Sequence, residues 1–311
     1  MHDAPVNGGG RAKVIAAYLA IYIIWGSTYL AISISIETLP MFFASAARFF
    51  TAGLALVIYS SCGGASRPTR ANIAIAAKSG FLSFFVSFAL LAWAERILPS
   101  SVAALIVSIE PACFVIFDWI FFHGPRPSGR IAAAQAIGFI GCAVLILAGG
   151  TDESLAGVSR ARYTVSAAAV IVCGFAWVYG SLLSSKSRDS HGDSAMASGL
   201  QMLLGGTFFI IASVIRWEIP NIANGSAESW AATAYLITFG SILAYSSYIY
   251  LLRREPSSRV ATHTFVNPIV AVALGWAVAG ERVTRHTALS AALIVISVVL
   301  TVYSTPPDPR N

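Results

Sequence analysis

The segment PSSVAALIVSIEPACFVIFDW at Pro99–Trp119 recurs 157 residues later as PSSRVATHTFVNPIVAVALGW at Pro256–Trp276. The two stretches align without gaps and share seven of 21 positions, including two prolines and the final tryptophan. A weaker match pairs Trp25 with Trp177, 152 residues apart. Repetition at a nearly fixed offset indicates an internal duplication, so we expect two related halves.

The composition indicates a membrane protein. Hydrophobic residues make up 57% of the 311 residues, charged residues only 11%, and the mean hydropathy is +0.73. A soluble domain carries about 25% charged residues, so this chain has too few to cover a water-facing surface. The net charge of +6 comes from short basic clusters between apolar runs. This distribution is typical of membrane loops, and we expect no nucleic-acid partner.

Ten apolar runs are long enough to cross a bilayer as helices, which requires roughly 20 residues each. They cover residues 14–34, 41–61, 72–94, 100–121, 131–149, 163–183, 195–215, 230–252, 259–279 and 287–304. Because the runs are continuously apolar and do not alternate, they predict helices and not a β-barrel. The sequence therefore predicts an all-α integral membrane protein with ten transmembrane helices.

The distribution of basic residues predicts the orientation. With the N-terminus inside, thirteen Lys and Arg residues lie on the inner side and six on the outer side, while Arg48 lies within a span. Lysine and arginine are enriched in cytoplasmic loops, so we expect both termini in the cytoplasm. The predicted divisions are a tail at 1–13, one five-helix half at 14–149, a second at 163–304 and a tail at 305–311.

An odd number of helices in each half means that the second half enters the membrane from the opposite side. Inverted repeats of this kind occur in many secondary transporters, because exchanging the conformations of the two halves moves the opening to the other face. The alternative is a duplication that serves only folding.

Five short motifs occur in order along the chain. They are Trp-Gly-Ser within Ile24–Tyr29, an arginine within Ala47–Phe49, the start of span 4 at Pro99–Ala104, Val266–Pro268, and Gly-Glu-Arg within Gly280–Thr284. Together they resemble the EamA branch of the drug/metabolite transporter superfamily over essentially the whole chain. The resemblance implies two EamA-like units in a ten-helix inverted-repeat fold. It also implies export or exchange of metabolites or toxic compounds.

Two positions depart from the pattern of that family. His123–Arg126 stands where the first half would carry the Gly-Glu-Arg motif, so we expect Glu281 to have no counterpart. Glu110 precedes Pro111, at a position where the family generally has neutral residues.

Pro111 and Pro268 occupy equivalent places near the middle of spans 4 and 9. Each lacks the N–H that would bond to the carbonyl four residues earlier, on Val107 and Thr264. Paired interruptions in two halves point to a binding site near the bilayer midplane. We expect a cavity lined by spans 4 and 9, with a simple packing kink as the alternative.

Glu110 lies in the middle of span 4, near the expected bilayer centre. An ionised carboxylate there costs roughly 2.5–3.5 kcal/mol on insertion scales, so its presence calls for a function. It can bind a substrate ammonium group or carry protons in an exchange cycle. The alternatives are an ion pair with Arg48 and a polar contact between helices.

Further residues complete the candidate site. Asn267 is the counterpart of Glu110, and His263 lies one turn before it, with a side chain that ordinarily titrates near physiological pH. Mid-span aromatic residues are candidates for the pocket wall, with helix packing as the alternative: Trp25, Tyr29, Trp177 and Tyr179. Glu281 and Arg282, at the outer end of span 9, are expected to form an end-cap or a gate.

The motifs of enzymes are missing from the sequence. The four cysteines are far apart, and the chain has no Cys/His metal spacing, nucleotide-binding loop or protease motif. We therefore expect no metal, no cofactor and no catalysis.

The leading interpretation is a secondary transporter in a bacterial inner membrane. It would export small amphipathic metabolites or drugs resembling amino acids or amines, with proton exchange as one form of coupling. The expected partners are a small-molecule substrate, the lipid bilayer and protons, and the chain would act as a monomer or homodimer. An intramembrane enzyme and a receptor or structural membrane protein are the alternatives.

Overall fold

A computed structural model describes residues 8–149, 158–185, 194–252, 254–255, 260 and 262–304. In chain order its helices are α1 (Gly8–Leu19, a π-helical stretch Ala20–Ile24, and Trp25–Thr38), α2 (Met41–Cys62), α3 (Arg70–Gly80, a π-helical stretch Phe81–Val86, and Ser87–Ala94), α4 (Ser100–Val107 and Glu110–Phe121), α5 (Gly129–Gly149), α6 (Arg160–Ser185), α7 (Ser194–Ile215), α8 (Ala227–Tyr235, a π-helical stretch Leu236–Leu243, and Ala244–Leu252), α9 (His263–Ala277) and α10 (Arg285–Ser304). A short 3₁₀ turn at Ile219–Asn224 precedes α8.

Within the described ranges, eight helices are long and apolar enough to cross a membrane, and Val266–Ala277 and Arg285–Thr301 form two shorter apolar helices. The prediction of an all-helical membrane protein is confirmed. α1 begins at Gly8, within the stretch 1–13 that was expected to be a tail, and that division stays a prediction. The predicted tail at 305–311 lies outside the described residues.

The outer surface of the bundle carries large apolar side chains. Ile58, Leu147, Ile215 and Trp276 are each more than half exposed. A water-soluble monomer rarely exposes contiguous apolar patches of this kind, whereas lipid solvates them without penalty. The chain is a multi-pass integral membrane protein whose apolar exterior contacts acyl chains.

The helix pairs follow a regular scheme. α2 packs against α7, and α5 packs against α10. α1 packs against α8 and α9, while α6 packs against α3 and α4. Helices whose numbers differ by five occupy corresponding places in the two halves. Replacing each helix by its correspondent turns the pairs α1–α8 and α1–α9 into α6–α3 and α6–α4. The contacts that the first five helices make with the last five are thus reciprocal.

The crossing of α2 and α7 shows the same reciprocity in atomic detail. A Cβ added to Gly53 would collide with the backbone of Leu203, and one added to Gly206 would collide with the backbone of Phe50. Small residues at such crossings let two backbones approach closely in a membrane. Phe50 and Gly53 are each 153 residues from their counterparts Leu203 and Gly206, so each helix presents the same two positions to the other.

Candidate functional site

α4 is interrupted directly before Glu110. Its first segment ends at Val107, a turn follows at Ser108 and Ile109, and helix resumes at Glu110 with Pro111 in its first turn. Proline is tolerated there because the first N–H groups of a helix have no intrahelical partner. α9 differs, because it is continuous around Pro268 from His263 to Ala277. The predicted pair of interruptions is therefore found in only one of the two halves.

The Glu110 side chain lies against α6 at Gly174. A Cβ added to Gly174 would lie 3.6 Å from Glu110 Cγ and 3.9 Å from Oε1, which is ordinary contact. Tyr29 and Cys173 are within electrostatic reach of the Glu110 carboxyl group. Among the described residues, no hydrogen bond or ion pair engages this carboxyl group, so the alternative of a pair with Arg48 is not seen.

Arg48 is buried between α8 and two aromatic rings. Its Nε donates a hydrogen bond of 3.0 Å to Ser241 Oγ. The guanidinium carbon lies 4.8 Å from the ring centre of Phe49 and 5.0 Å from that of Phe88. Such contacts with aromatic faces stabilise a cation that has left water.

A small cavity of about 10 Å³ adjoins Arg48 and has room for about one water molecule. Its lining comes from α1, α2, α3 and α8. No residue of α4 or α9 lines this cavity, so a cavity between those two helices stays a prediction.

Tyr29 connects the two charged positions. Its side chain interacts electrostatically with both Glu110 and Arg48 and packs against the largest apolar core of the bundle. A carboxyl group on α4 and a guanidinium on α2 are therefore both within electrostatic reach of one half-buried phenol on α1.

Asn267 has a different environment from its counterpart Glu110. In the amide orientation that satisfies its surroundings, its nitrogen donates to the carbonyls of Ile21 and Tyr22, each at 3.2 Å, and of His263, at 3.0 Å. Ile21 and Tyr22 belong to the π-helical stretch of α1, where the wider turn displaces backbone carbonyls from their usual bonding pattern. Asn267 thus binds α9 to α1.

His263 and Trp25 form part of an aromatic cluster beside Asn267. The rings of Trp25 and His263 meet edge to face at 5.0 Å, and Tyr248 lies 5.3 Å from Trp25 and 5.8 Å from His263. Trp25 Nε1 donates to the Gly240 carbonyl, and His263 Nδ1 lies 2.8 Å from the Val260 carbonyl. Trp25 Nε1 and His263 Nδ1 are thus both engaged with backbone, which makes these side chains positioning elements for α1, α8 and α9.

The two aromatic candidates of α6 point to different neighbours. Trp177 meets the rings of Phe84 and Phe88 edge to face, at 5.6 and 6.0 Å, and therefore lies next to the Arg48 environment. Tyr179 contacts Phe121 and Phe122 at the end of α4. The structure brings Trp177 towards the charged region and leaves Tyr179 at the end of the bundle.

Glu281 holds the beginning of α4. One carboxylate oxygen accepts from the backbone N–H and hydroxyl of Ser100, at 2.8 and 2.7 Å. The other accepts from the backbone N–H of Ser101 at 3.1 Å and from its hydroxyl. A helix N-terminus attracts negative charge, and these N–H groups have no partner within the helix. Arg282 is exposed at the same end of the bundle.

The loops that follow α4 and α9 have matching backbones. His123 and Gly280 both have positive φ, 57° and 67°. Gly124 N–H donates to the Asp118 carbonyl, and Glu281 N–H donates to the Gly275 carbonyl 157 residues later.

The two loops have their carboxyl groups at different, non-equivalent positions. The Asp118 side chain lies over Gly124, whereas the Glu281 side chain lies over Gly275. Gly124 stands at the position equivalent to Glu281, in line with the expectation that Glu281 has no counterpart there. The Asp118 carboxyl group comes instead from the last turn of α4.

Glu95 is a charged residue that the sequence did not single out. It follows Ala94, the last residue of α3, and precedes Arg96, as in an ordinary solvated loop. In the structure its side chain is only 7% exposed, and it lies within electrostatic reach of Glu281 and Arg48. Burial at a helix end depends on how the neighbouring helices close over it, which no local pattern reveals.

The chain is similar to known membrane proteins over nearly its full length. A family model, "EamA-like transporter family", matches it twice, at residues 12–147 and 164–303. The chain is 31% identical over 288 residues to "Uncharacterized inner membrane transporter YedA" of Escherichia coli K12, covering 92% of this chain and 90% of that one. It is 25% identical over 289 residues to "Probable terminal-alkyne amino-acid exporter" of Streptantibioticus cattleyicolor, covering 93% of each.

Two further similarities are more distant. "Probable amino-acid metabolite efflux pump" of Escherichia coli K12 is 24% identical over 295 residues, covering 92% of this chain and 93% of that one. A solved crystal structure has the same fold with a TM-score of 0.62 and 18% identity, covering 94% of this chain and 97% of that chain. The two family matches and the 31% identity over most of both chains lead to one conclusion. The protein belongs to the EamA-like transporter family, within the drug/metabolite transporter superfamily.

Proposed function

We propose that this protein is a secondary transporter that exports small amino-acid-like or amine solutes across a bacterial inner membrane, in exchange for protons. Two relatives carry names that specify amino-acid or amino-acid-metabolite export, and a third is named as an inner membrane transporter. These names support the substrate class and the location. The mechanism is argued from the contacts of this chain.

The proposed transport mechanism is alternating access between two inverted halves. The reciprocal contacts of Gly53 with Leu203 and of Gly206 with Phe50 support a twofold relation, because a self-complementary interface repeats each contact with the partners exchanged. The double match of the family model supports the same division into halves. The repeat residues Pro256, Ser257 and Ser258 lie outside the described residues, so this support comes from the helices that follow and precede them.

The observation that carries the substrate proposal is that Tyr29 lies within electrostatic reach of a carboxyl group and a guanidinium. Glu110 and Arg48 both interact with this phenol, and neither forms an ion pair with the other in the described part of the chain. An amino-acid-like solute carries an ammonium group and a carboxylate. Glu110 would bind the first, and Arg48 would bind the second through the guanidinium N–H groups that do not contact Ser241. The bound solute would give the ionised Glu110 and Arg48 an opposite charge each.

Proton exchange follows from the chemistry of a half-buried carboxyl group. Because no hydrogen bond or ion pair from the described residues engages Glu110, it is more stable as the neutral acid, whereas an arriving ammonium group favours the carboxylate. Binding of substrate and binding of a proton would therefore exclude each other at Glu110. Mutual exclusion at one site is sufficient to couple the two fluxes in opposite directions.

The test is transport by purified protein in liposomes. Labelled amino acids, amines and cationic dyes are offered with and without an imposed pH gradient, and the variants are wild type, Glu110→Gln and the exposed control Glu37→Gln. We expect a solute whose movement follows the pH gradient in wild type and in the control, and loses that dependence in Glu110→Gln. An unchanged pH profile in Glu110→Gln would remove the carrier role of Glu110.

A further inference from the structure

The end of the bundle where α3 ends, α4 begins and α9 ends contains a second buried carboxyl group, Glu95. Its side chain is only 7% exposed. In the described part of the chain, neither of its carboxyl oxygens has a hydrogen-bond partner. An ionised carboxylate that is removed from water without hydrogen bonds is strongly destabilised, and neutralisation relieves most of that penalty.

The charged and titratable groups around Glu95 come from four different elements. Arg48 of α2 and Glu281, which follows α9, act on it directly, and Tyr29 of α1 and Cys173 of α6 are also within electrostatic reach. Arg48 is already engaged by Ser241 and by two aromatic rings. Glu281 is already engaged by Ser100 and Ser101. Glu95 therefore has an attractive and a repulsive neighbour, and both have other partners.

We propose that Glu95 is a proton-binding site, and that the proton bound there stabilises the contact between Glu281 and the N-terminus of α4. Two carboxylates within electrostatic reach of each other resist simultaneous ionisation, above all when one of them is buried. When Glu95 is neutral, Glu281 can remain among the Ser100 and Ser101 donors. When Glu95 is ionised, it repels Glu281, and this repulsion weakens the contact of Glu281 with the N-terminus of α4.

The direction of the pH effect follows from the surroundings of Glu95, which lies just beyond the last helical residue of α3. Burial and the neighbouring Glu281 carboxylate raise the pKa of Glu95 well above its ordinary value, against the opposing effect of Arg48. The stabilisation of the closed contact is therefore fully present below the ordinary carboxyl pKa and is lost as the pH rises through the raised value. A proton arriving from this side of the membrane would close the end through which it entered.

A second carboxyl group with this role goes beyond the proposed exchange at Glu110. Its test needs no transported solute, so its outcome is separate from that of the transport assay. The readout is backbone amide hydrogen exchange at Ser100 and Ser101, corrected for the intrinsic effect of pH, in the full-length protein in lipid nanodiscs. Wild type, Glu95→Gln, Glu95→Asp and the exposed control Glu37→Gln are compared.

We expect the protection of these two amides to fall about tenfold or more in wild type as the pH rises, as expected for coupling of about one pKa unit. Glu37→Gln should behave like wild type, and Glu95→Gln should stay at the acidic level at every pH. Glu95→Asp retains a titratable group, so its protection should still fall, with a shifted midpoint. The proposal is overturned if wild type shows no pH dependence, if Glu95→Gln folds and keeps it, or if Glu95→Asp loses it.

Discussion

The seam between α4 and α6 and the seam between α9 and α1 are equivalent under the repeat, yet they differ in chemistry. In the first, Glu110 lies at ordinary contact distance from Gly174 and has no hydrogen bond from the described residues. In the second, Asn267 donates to three carbonyls, two of them on α1, and Gly26 has no room for a methyl group. The seam between α9 and α1 is held by an amide, and the seam between α4 and α6 contains a carboxyl group that has no partner among the described residues.

The difference suggests how a duplicated position can divide its roles. Glu110 and Asn267 are 157 residues apart, and their contacts Gly174 and Tyr22 are 152 residues apart, in agreement with the two offsets of the repeat. The two positions thus contact equivalent partners while their side chains have diverged, and the helix is interrupted before Glu110 but continuous around Pro268. A polar group that is fully bonded stabilises helix packing, whereas one that is left unbonded in a membrane is available to a ligand or a proton.

The largest expected effect on stability comes from adding a methyl group at the seam between α9 and α1. In Gly26→Ala the new Cβ would lie 2.6 Å from Val270 Cβ and 3.0 Å from the Asn267 carbonyl oxygen, so α1 and α9 must separate. We expect a loss of about 2 to 3 kcal/mol in the free energy of unfolding, as for other overpacked sites. Gly174→Ala, where the contact is ordinary, should lose about 0.5 kcal/mol or less.

Thermal unfolding in detergent measures both glycine variants. Equal destabilisation of Gly26→Ala and Gly174→Ala would mean that the two seams are packed alike.

The start of α4 was predictable from the sequence, and its side-chain contacts were not. α4 was expected to begin at residue 100, and it begins at Ser100, because proline and two serines mark a helix start in any environment. The π-helical stretches Ala20–Ile24, Phe81–Val86 and Leu236–Leu243 carry no comparable signal, since they arise from contacts with other helices.

The candidate site was predictable only in part, at the residues that stand out within their own stretch of sequence. Glu110 stands out because a carboxyl group in an apolar run is rare. Glu95 and the pairing of Glu281 with Ser100 and Ser101 depend on helices that are distant in sequence. A single chain does not reveal such convergence.

A second effect is expected at the fastened end of α4. In Glu281→Gln the side chain keeps its shape but loses the charge that faces four donors on Ser100 and Ser101. We expect the free energy of unfolding to fall by about 1 to 2 kcal/mol, because hydrogen bonds to a charged group at a helix N-terminus are stronger than those to a neutral group. Chemical denaturation measures it, and Glu37→Gln is the exposed control. A loss no greater than that of the control would argue against the end-cap role.

A somewhat smaller effect is expected for Asn267→Ala. It removes the donor that joins α9 to the Ile21 and Tyr22 carbonyls of α1. Hydrogen bonds between membrane helices contribute about 0.6 to 1.7 kcal/mol each, so we expect a loss of about 1 to 2 kcal/mol. Unfolding in detergent should show it. An unaltered midpoint would indicate that the amide does not bind α1.

The smallest effect on stability is expected when the carboxyl group at the seam between α4 and α6 is replaced by a neutral amide. Glu110→Gln removes a half-buried carboxyl group that has no hydrogen bond to lose among the described residues, so the free energy of unfolding should change by about 0.5 kcal/mol or less, or rise. The same variant should lose proton-coupled transport. A large loss of stability would show that Glu110 has a structural bond, as Asn267 does.

Distances across the two ends of the bundle test the inverted-repeat mechanism most directly. Spin labels at Ile97 and Arg285 span one end, and labels at Ser128 and Arg254, which lie 157 residues from their counterparts, span the other. Pulsed electron–electron double resonance on the protein in nanodiscs would measure both distances over a range of pH. Alternating access predicts that one distance lengthens where the other shortens. Two distances that stay fixed, or that lengthen together, would contradict it.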